Sequence, residues 1–270
     1  MLTGRQLIED IRTCEVPRGR LAFWWLGQMG FAVKGGDQVV LLDAYLKPRE
    51  DRLVPPLVRV DEIDLDVALI CGTHDHSDHI DRYAWPLLAR QLPEARFVAP
   101  DLLLHKVAGE LGIAEGRFIG SDHLRSFEHR GIRVTGVASA HEFLDRDPGT
   151  GRYPHVGLVL EMNGCTLYHA GDTCKWEGME TALKQWRFDV VFLPINGRDA
   201  RRYAMNLIGN MTYQEAADLA GALEPRLTVP GHYEMFAKNL GDVTGFTDYM
   251  HVKYPHLKTW AGPHGEQTLI

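Results

Sequence analysis

The nine residues Thr73–Asp81, THDHSDHID, hold three histidines and three aspartates, and they begin one residue after the apolar run VALIC (Val67–Cys71). So many lone-pair-bearing side chains in so short a space are costly to desolvate unless a partner satisfies them, and a divalent cation does so for imidazole and carboxylate together. Helix capping is the simpler reading of part of the stretch, because aspartate is favoured at helix starts and a helix is expected to begin near Asp81. Capping accounts for Asp78 or Asp81. It leaves the three histidines unexplained.

Other ionisable residues fall at similar places. Asp43 follows VVLL, His141 follows RVTGVASA, Asp172 follows TLYHAG and His232 follows LTVPG, each just past an apolar run with strand character. Five strand ends can therefore converge on one spot. His74, His76 and His141 suit one divalent ion, Asp78, His79 and His232 suit a second, and Asp172 can bridge the two with one oxygen to each. The donors are nitrogen and oxygen without sulfur, compatible with Zn²⁺, Mn²⁺ or Fe²⁺. His155 and His169 remain open, one beside a candidate substrate loop and the other in the strand leading to Asp172. His105, His123, His129, His251, His256 and His264 show no such placement and read as surface or structural residues.

The chain of 270 residues is long enough for one sizeable core, and a single domain over residues 1–270 is the expectation. Its 45% apolar and 24% charged residues fit an ordinary globular protein. The net charge of −7 is spread without a basic block, so the footprint of a nucleic-acid binder is missing. The first residues, MLTGRQLIEDIRTCEV, carry alternating charges and no apolar core of a signal peptide, and no run approaches the roughly 18 apolar residues of a membrane span. A cytoplasmic protein with a small-molecule substrate is expected. The cysteines Cys14, Cys71, Cys165 and Cys174 form no C-x-x-C pair and read as reduced structural thiols.

RLAFWWLGQ, GFAVKGG and DQVVLLDAY read as a strand meander with a hairpin turn at Gly35-Gly36-Asp37. Strands and helices then alternate: DVALIC, DRYAWPLLARQL, RFVAP and DLLLHKVAGEL. The second half repeats the style. GIRVTGVASA reads as a strand, HVGLVLEMNGCTLYHAGD as a hairpin turning at Asn163-Gly164, METALKQW and TYQEAADLAGAL as helices, and DVVFLPI and RLTVP as strands. The expected fold class is α/β, a sandwich of two sheets inside and helices outside.

THDHSDH matches the H-x-H-x-D-H signature of the metallo-β-lactamase fold, and His141, Gly171-Asp172 and Gly231-His232 follow in that superfamily's order. FWWLGQMGFAVKG, THDHSDHID, TLYHAGDT and VPGHYEMF resemble its UlaG-like branch, whose named member is a manganese-dependent L-ascorbate-6-phosphate lactonase. The resemblance implies an αββα sandwich with two mixed sheets and a metal-dependent hydrolase of the lactonase or esterase kind, and a homo-oligomer. Two cations would lower the pKa of a shared water and polarise the electrophile, with Asp78 holding the second ion and orienting or deprotonating the nucleophile.

Asp43 is expected behind the ligands, accepting an N–H from a ligand histidine and fixing its tautomer. Gln28, in the turn after WWL, either reaches the metal pocket or satisfies the turn's own backbone. Two loops suggest substrate contacts: His141–His155, which contains Tyr153, and Ile195–Thr212, which carries Arg198, Arg201 and Arg202 as cations for a phosphate or carboxylate. A small, anionic ester or lactone is the expected substrate. The alternatives are a phosphodiesterase of the N-acylphosphatidylethanolamine phospholipase D-like type, weakened by the lack of a membrane-binding segment, and a non-catalytic metal-binding or ligand-sensing protein.

Overall fold

A computed structural model describes residues 1–270. In chain order its elements are α1 (Gly4–Thr13), β1 (Ala22–Gly27), β2 (Gly30–Gly35), β3 (Gln38–Leu42), β4 (Val67–Cys71), α2 (Ala84–Gln91), β5 (Arg96–Pro100), α3 (Leu104–Leu111), β6 (Phe118–Ser121), β7 (Ser126–His129), β8 (Ile132–Ala138), β9 (Val156–Met162) and β10 (Cys165–His169). They continue with α4 (Met179–Leu183), β11 (Val190–Pro194), α5 (Ala200–Ala204), α6 (Tyr213–Leu223), β12 (Leu227–Gly231), α7 (Val243–Lys253) and β13 (Thr268–Leu269). A seven-stranded sheet runs β13-β1-β2-β3-β4-β5-β6, and a six-stranded sheet runs β12-β11-β10-β9-β8-β7. Both are mixed. β3 to β6 are parallel in the first and β10 to β12 in the second, while the remaining pairings are antiparallel.

The central strands are apolar on both faces because each face is covered. Along β1, Phe23 and Trp25 point into the layer between the sheets, while Trp24 and Leu26 point the other way onto α1 and its neighbours. This is the two-residue period of a strand buried on both sides. Phe31 of the first sheet stacks on Phe192 of the second at 4.0 Å between ring centroids, with Phe23 edge-on at 5.3 Å. Leu7, Ile8, Trp85, Leu88 and Val107 of α1, α2 and α3 cover the outer face of the first sheet. Met179, Leu183, Ala216, Leu219, Phe246 and Met250 of α4, α6 and α7 cover the second. The result is the αββα layering expected from the sequence.

Local details also follow the sequence. Asn163 and Gly164 both have positive φ, at 52° and 83°, as a two-residue hairpin turn requires. α6 opens with a capping box in which Thr212 and Glu215 satisfy each other's backbone N–H groups. Three helices are shorter than the apolar pattern suggests. α2 begins at Ala84 because Asp81 accepts the N–H groups of Tyr83 and Ala84 and those of Leu46 and Lys47, fixing the turn before it. Asp101–Leu103 forms a separate tight turn ahead of α3, and α4 stops at Leu183. No helix is long and apolar enough to cross a membrane.

Candidate metal centre

The loops after β3, β4, β8, β10 and β12 meet at one end of the sandwich. Two glycines permit the approach. A Cβ on Gly72 would sit 2.5 Å from Ile80 Cγ1, so the chain leaving β4 could not turn back under its own loop. Gly171 has φ +59°, and a Cβ there would lie 2.5 Å from Thr73 Oγ1. Within the loop, the N–H groups of His79 and Ile80 donate to His76 O at 3.1 and 2.8 Å, a turn that brings His79 round to face the second sheet.

The side chains form two adjoining groups. In the first, His74 Nε2 and His141 Nε2 lie 3.0 and 3.2 Å from His76 Nδ1. In the second, Asp172 Oδ1 lies 3.3 Å from His79 Nε2 and Asp172 Oδ2 lies 3.1 Å from His232 Nε2, while Asp78 Oδ2 is 3.7 Å from each of those imidazole nitrogens. His74, His79 and Asp172 also bring their ligand atoms within 4.8 Å of one another, so Asp172 stands between the groups. All seven ligand candidates named from the sequence are together.

The chemistry of these atoms fits divalent cations. His79 Nε2 and Asp172 Oδ1 are buried and have no hydrogen-bond partner, an arrangement that is costly unless a cation lies between them. The two groups differ electrostatically. Burial pushes His74 well below the usual imidazole range and His141 down to about 4, so these two imidazoles offer neutral lone pairs at pH 7. In the second, burial would also lower the histidines, but the carboxylates outweigh it. Asp172, Asp43 and Asp78 raise His79 well above its ordinary value, and Asp172 with Asp78 raises His232 to about 10. Asp78 and Asp172 are held low by the same imidazoles despite burial. Three carboxylates gathered on two buried imidazoles make a site suited to positive charge.

Behind the ligand atoms lies Asp43, fully buried. Its Oδ2 accepts from His79 Nδ1 at 2.7 Å, His169 Nε2 at 2.8 Å and Thr73 Oγ1 at 2.8 Å, and its Oδ1 accepts from Thr73 N at 2.9 Å. Protonating His79 on Nδ1 leaves Nε2 free to face Asp172. His169, left open by the sequence, belongs to this network. Gln28 also reaches the site: its Nε2 donates to Asp78 Oδ2 at 2.8 Å and lies 3.1 Å from His232 Nε2. Its backbone sits at φ +56°, held by Gln28 N donating to Glu234 Oε1 at 2.8 Å and by Gln28 O accepting from His232 N at 2.9 Å. His264 reads as structural, stacked on Trp25 at 3.9 Å and bonded to Glu234. His155 packs 5.4 Å from both His74 and His141, with burial lowering it to about 4.

The residues expected to bind substrate are placed elsewhere. Arg198 makes a two-pronged pair with Glu215 at 2.6 and 2.7 Å, and Arg202 pairs with Asp199, the cap of α5, at 2.6 Å. Arg201 is exposed on α5. Tyr153 donates its backbone N–H to Asp122 and packs on His123. None of the four lines the cleft of about 450 Å³ that opens onto His76, Asp78, His141, Asp172 and His232. Its other walls are Tyr45, Arg49 and Asp51 from the segment after β3, Phe236 and Lys238 from the segment after β12, and Asn206, Leu207 and Ile208. The signal that could have found them is positional, since Tyr45 and Phe236 follow the strand ends that deliver Asp43 and His232.

A family profile described as the beta-lactamase superfamily domain matches residues 38–233, from β3 through the His232 loop. The chain belongs to the metallo-β-lactamase superfamily. This member of the superfamily is 29% identical over 216 residues to a UPF0173 metal-dependent hydrolase of Methanospirillum hungatei, covering 78% of this chain and 82% of the relative. In fold it is similar to Igni18, a metallo hydrolase of Ignicoccus hospitalis, with a TM-score of 0.74, 18% identity, and coverage of 93% and 98% of the two chains. It is also similar to CmlA, a diiron β-hydroxylase of Streptomyces venezuelae, with a TM-score of 0.68 and 15% identity, covering 96% of this chain and 54% of CmlA.

Proposed function

We propose that the protein is a metal-dependent hydrolase of a small, anionic ester or lactone, of the UlaG-like kind, working in the cytoplasm with two Zn²⁺, Mn²⁺ or Fe²⁺ ions. The observation that carries this reading is the place of Asp172, which faces His79 and His232 of one group and also comes within 4.8 Å of the ligand atom of His74 in the other. Similarity to the metal-dependent hydrolase of Methanospirillum hungatei supports the same class.

His74, His76 and His141 would hold one ion, Asp78, His79 and His232 the other, with Asp172 shared. Bound there, such ions lower the pKa of water so that hydroxide forms near neutral pH, and they polarise the carbonyl under attack. The chain's own groups do the rest. Asp43 fixes the His79 tautomer, and His169 and Thr73 hold Asp43 in place. Asp78, on the cleft wall and anchored by Gln28, is positioned to take the proton of the attacking water and pass it to the leaving alkoxide. The deep placement of the cluster restricts bulk water to the open side of the cleft.

The test is metal content per chain on protein purified without added metal, together with turnover of a panel of lactones, esters and phosphodiesters. About two ions and turnover of anionic esters or lactones are expected. One ion or none after reloading with Zn²⁺ or Mn²⁺ would refute the shared-aspartate reading, and turnover of phosphodiesters alone would replace the substrate class.

A further inference from the structure

The cleft has a second polar wall that the hydrolytic chemistry does not use. Tyr45 lines it, yet the residue is only 2% exposed and its hydroxyl makes no well-formed hydrogen bond. A buried phenol without a well-formed bond is unusual, and here it belongs to the lining of an open cleft. The ring is held rigidly. The Arg52 guanidinium lies 5.0 Å from its centroid and is itself fixed by donating to the carbonyls of Tyr45, Lys47 and Val54.

Two cations flank this hydroxyl. Arg49 stacks 5.4 Å over Phe236 and spends Nε and Nη2 on Asp51, at 2.8 and 2.6 Å, leaving Nη1 without a formed bond. That guanidinium stands against the Tyr45 hydroxyl: burial raises the phenol's pKa, and hydrogen bonding and charge from Arg49 oppose the rise. Lys238 is exposed on the same wall and acts on Asp51 from beyond ion-pair distance. Along this wall two positive side chains and a neutral donor face the carboxylate of Asp51, while Asp78 and Asp172 of the same cleft lie with the ligand histidines, in a chain whose net charge is −7. A phenol and two cations gathered on one wall are features that recognise an oxyanion.

We propose that Tyr45, Arg49 and Lys238 form the subsite for the substrate's anionic group, a carboxylate or a phosphate, opposite the metal cluster. The inference rests on the hydrolase reading and moves the recognition role from Arg198, Arg201 and Arg202 to the loops after β3 and β12. Leu207 and Ile208 provide the apolar wall for the uncharged remainder of the substrate.

The experiment uses the full metal-loaded chain, Tyr45→Phe and Lys238→Met, and two matched substrate pairs, each an ester or lactone with and without a carboxylate or a phosphate. Tyr45→Phe keeps the ring and removes only the hydroxyl beside Arg49, so it tests the subsite with the packing retained. In each variant the ratio of kcat/KM for the anionic over the neutral partner is expected to fall about tenfold, mainly through KM. The pair showing the larger fall identifies the oxyanion. Ratios within twofold of wild type in both variants would overturn the proposal. If wild type hydrolyses none of these compounds, calorimetric binding of inorganic phosphate to the metal-loaded protein decides the subsite alone. Weakening by about tenfold in both variants then supports it while the hydrolase reading fails, and unchanged binding overturns it.

Discussion

Replacing Asp43 with asparagine tests the network behind the metal cluster. The carboxylate accepts four hydrogen bonds, from Thr73 N and Oγ1, His79 Nδ1 and His169 Nε2, and none of these atoms is near water. An amide has one acceptor oxygen. If that oxygen stays with the two imidazoles, the NH₂ group meets the Thr73 backbone N–H, and if it turns round, the NH₂ group meets two ring nitrogens that need an acceptor. Either orientation leaves a buried donor unpaired, at about 1–3 kcal/mol. For a chain of this size that corresponds to a melting temperature lower by about 2–4 °C per kcal/mol. The tautomer of His79 is also released, and loss of such a partner behind a ligand typically lowers metal affinity by about 10–100-fold.

Thermal melting of the metal-free protein reads the first effect, and competition with a chromogenic chelator reads the second. A pH series adds a signature. Burial would raise the Asp43 pKa, but His79 and His169 hold it far below the carboxylate range, so its stabilisation is present above the unfolded value of about 4 and is lost as the pH falls below it. The asparagine variant is therefore expected to lose less stability than wild type between about pH 4 and pH 2. Unchanged melting, unchanged metal affinity and an unchanged acid limb would together refute the argument that Asp43 organises the site.

Asp172→Ala should reduce metal content from about two ions per chain to one or fewer by elemental analysis; retention of both would show that the carboxylate is not shared. Metal-free protein should lose stability as the pH falls from 6.5 to about 4, because His141, depressed to about 4 chiefly by burial, binds its proton only in the unfolded chain over that window, a contribution of roughly 3 kcal/mol. Over the same range metal-loaded protein should change less, and chemical denaturation at matched pH values checks both. Arg198→Ala should leave kcat/KM within twofold, since its partner is Glu215, and should cost about 1 kcal/mol or less of stability; a large loss of activity would restore Arg198 to the substrate.

The metal cluster was legible because its residues lie where a linear pattern can be seen, each one just past an apolar run. Asp43 and Gln28 were reachable by the same logic. The arginines were not, because whether a guanidinium is free depends on a carboxylate elsewhere in the chain, and Glu215 lies 17 residues from Arg198. The cleft wall was fainter for a related reason: only its place after a strand end marks Tyr45, while Arg49 and Lys238 sit in loops without period. Among the elements, α1 escaped because its short buried stripe of Leu7, Ile8 and Ile11 is interleaved with charges, and α7 because Phe246 and Met250 are its only buried residues. β6, β7 and β13 are short, and all three are sheet edges with few buried residues.

The two groups of ligand atoms are each divided between the sheets. His74 and His76 follow β4 of one sheet and His141 follows β8 of the other; Asp78 and His79 come from the first, Asp172 and His232 from the second. Neither sheet alone presents a complete set of donors for either ion. A chain that has folded only one half therefore has nothing with which to capture metal tightly, and acquisition of the ions becomes a report that both halves have docked in register. Ions held there would act as rivets across the open end of the sandwich, so chelation should loosen the docking of the sheets before it unravels either one, visible as faster amide exchange along the layer between Phe31 and Phe192.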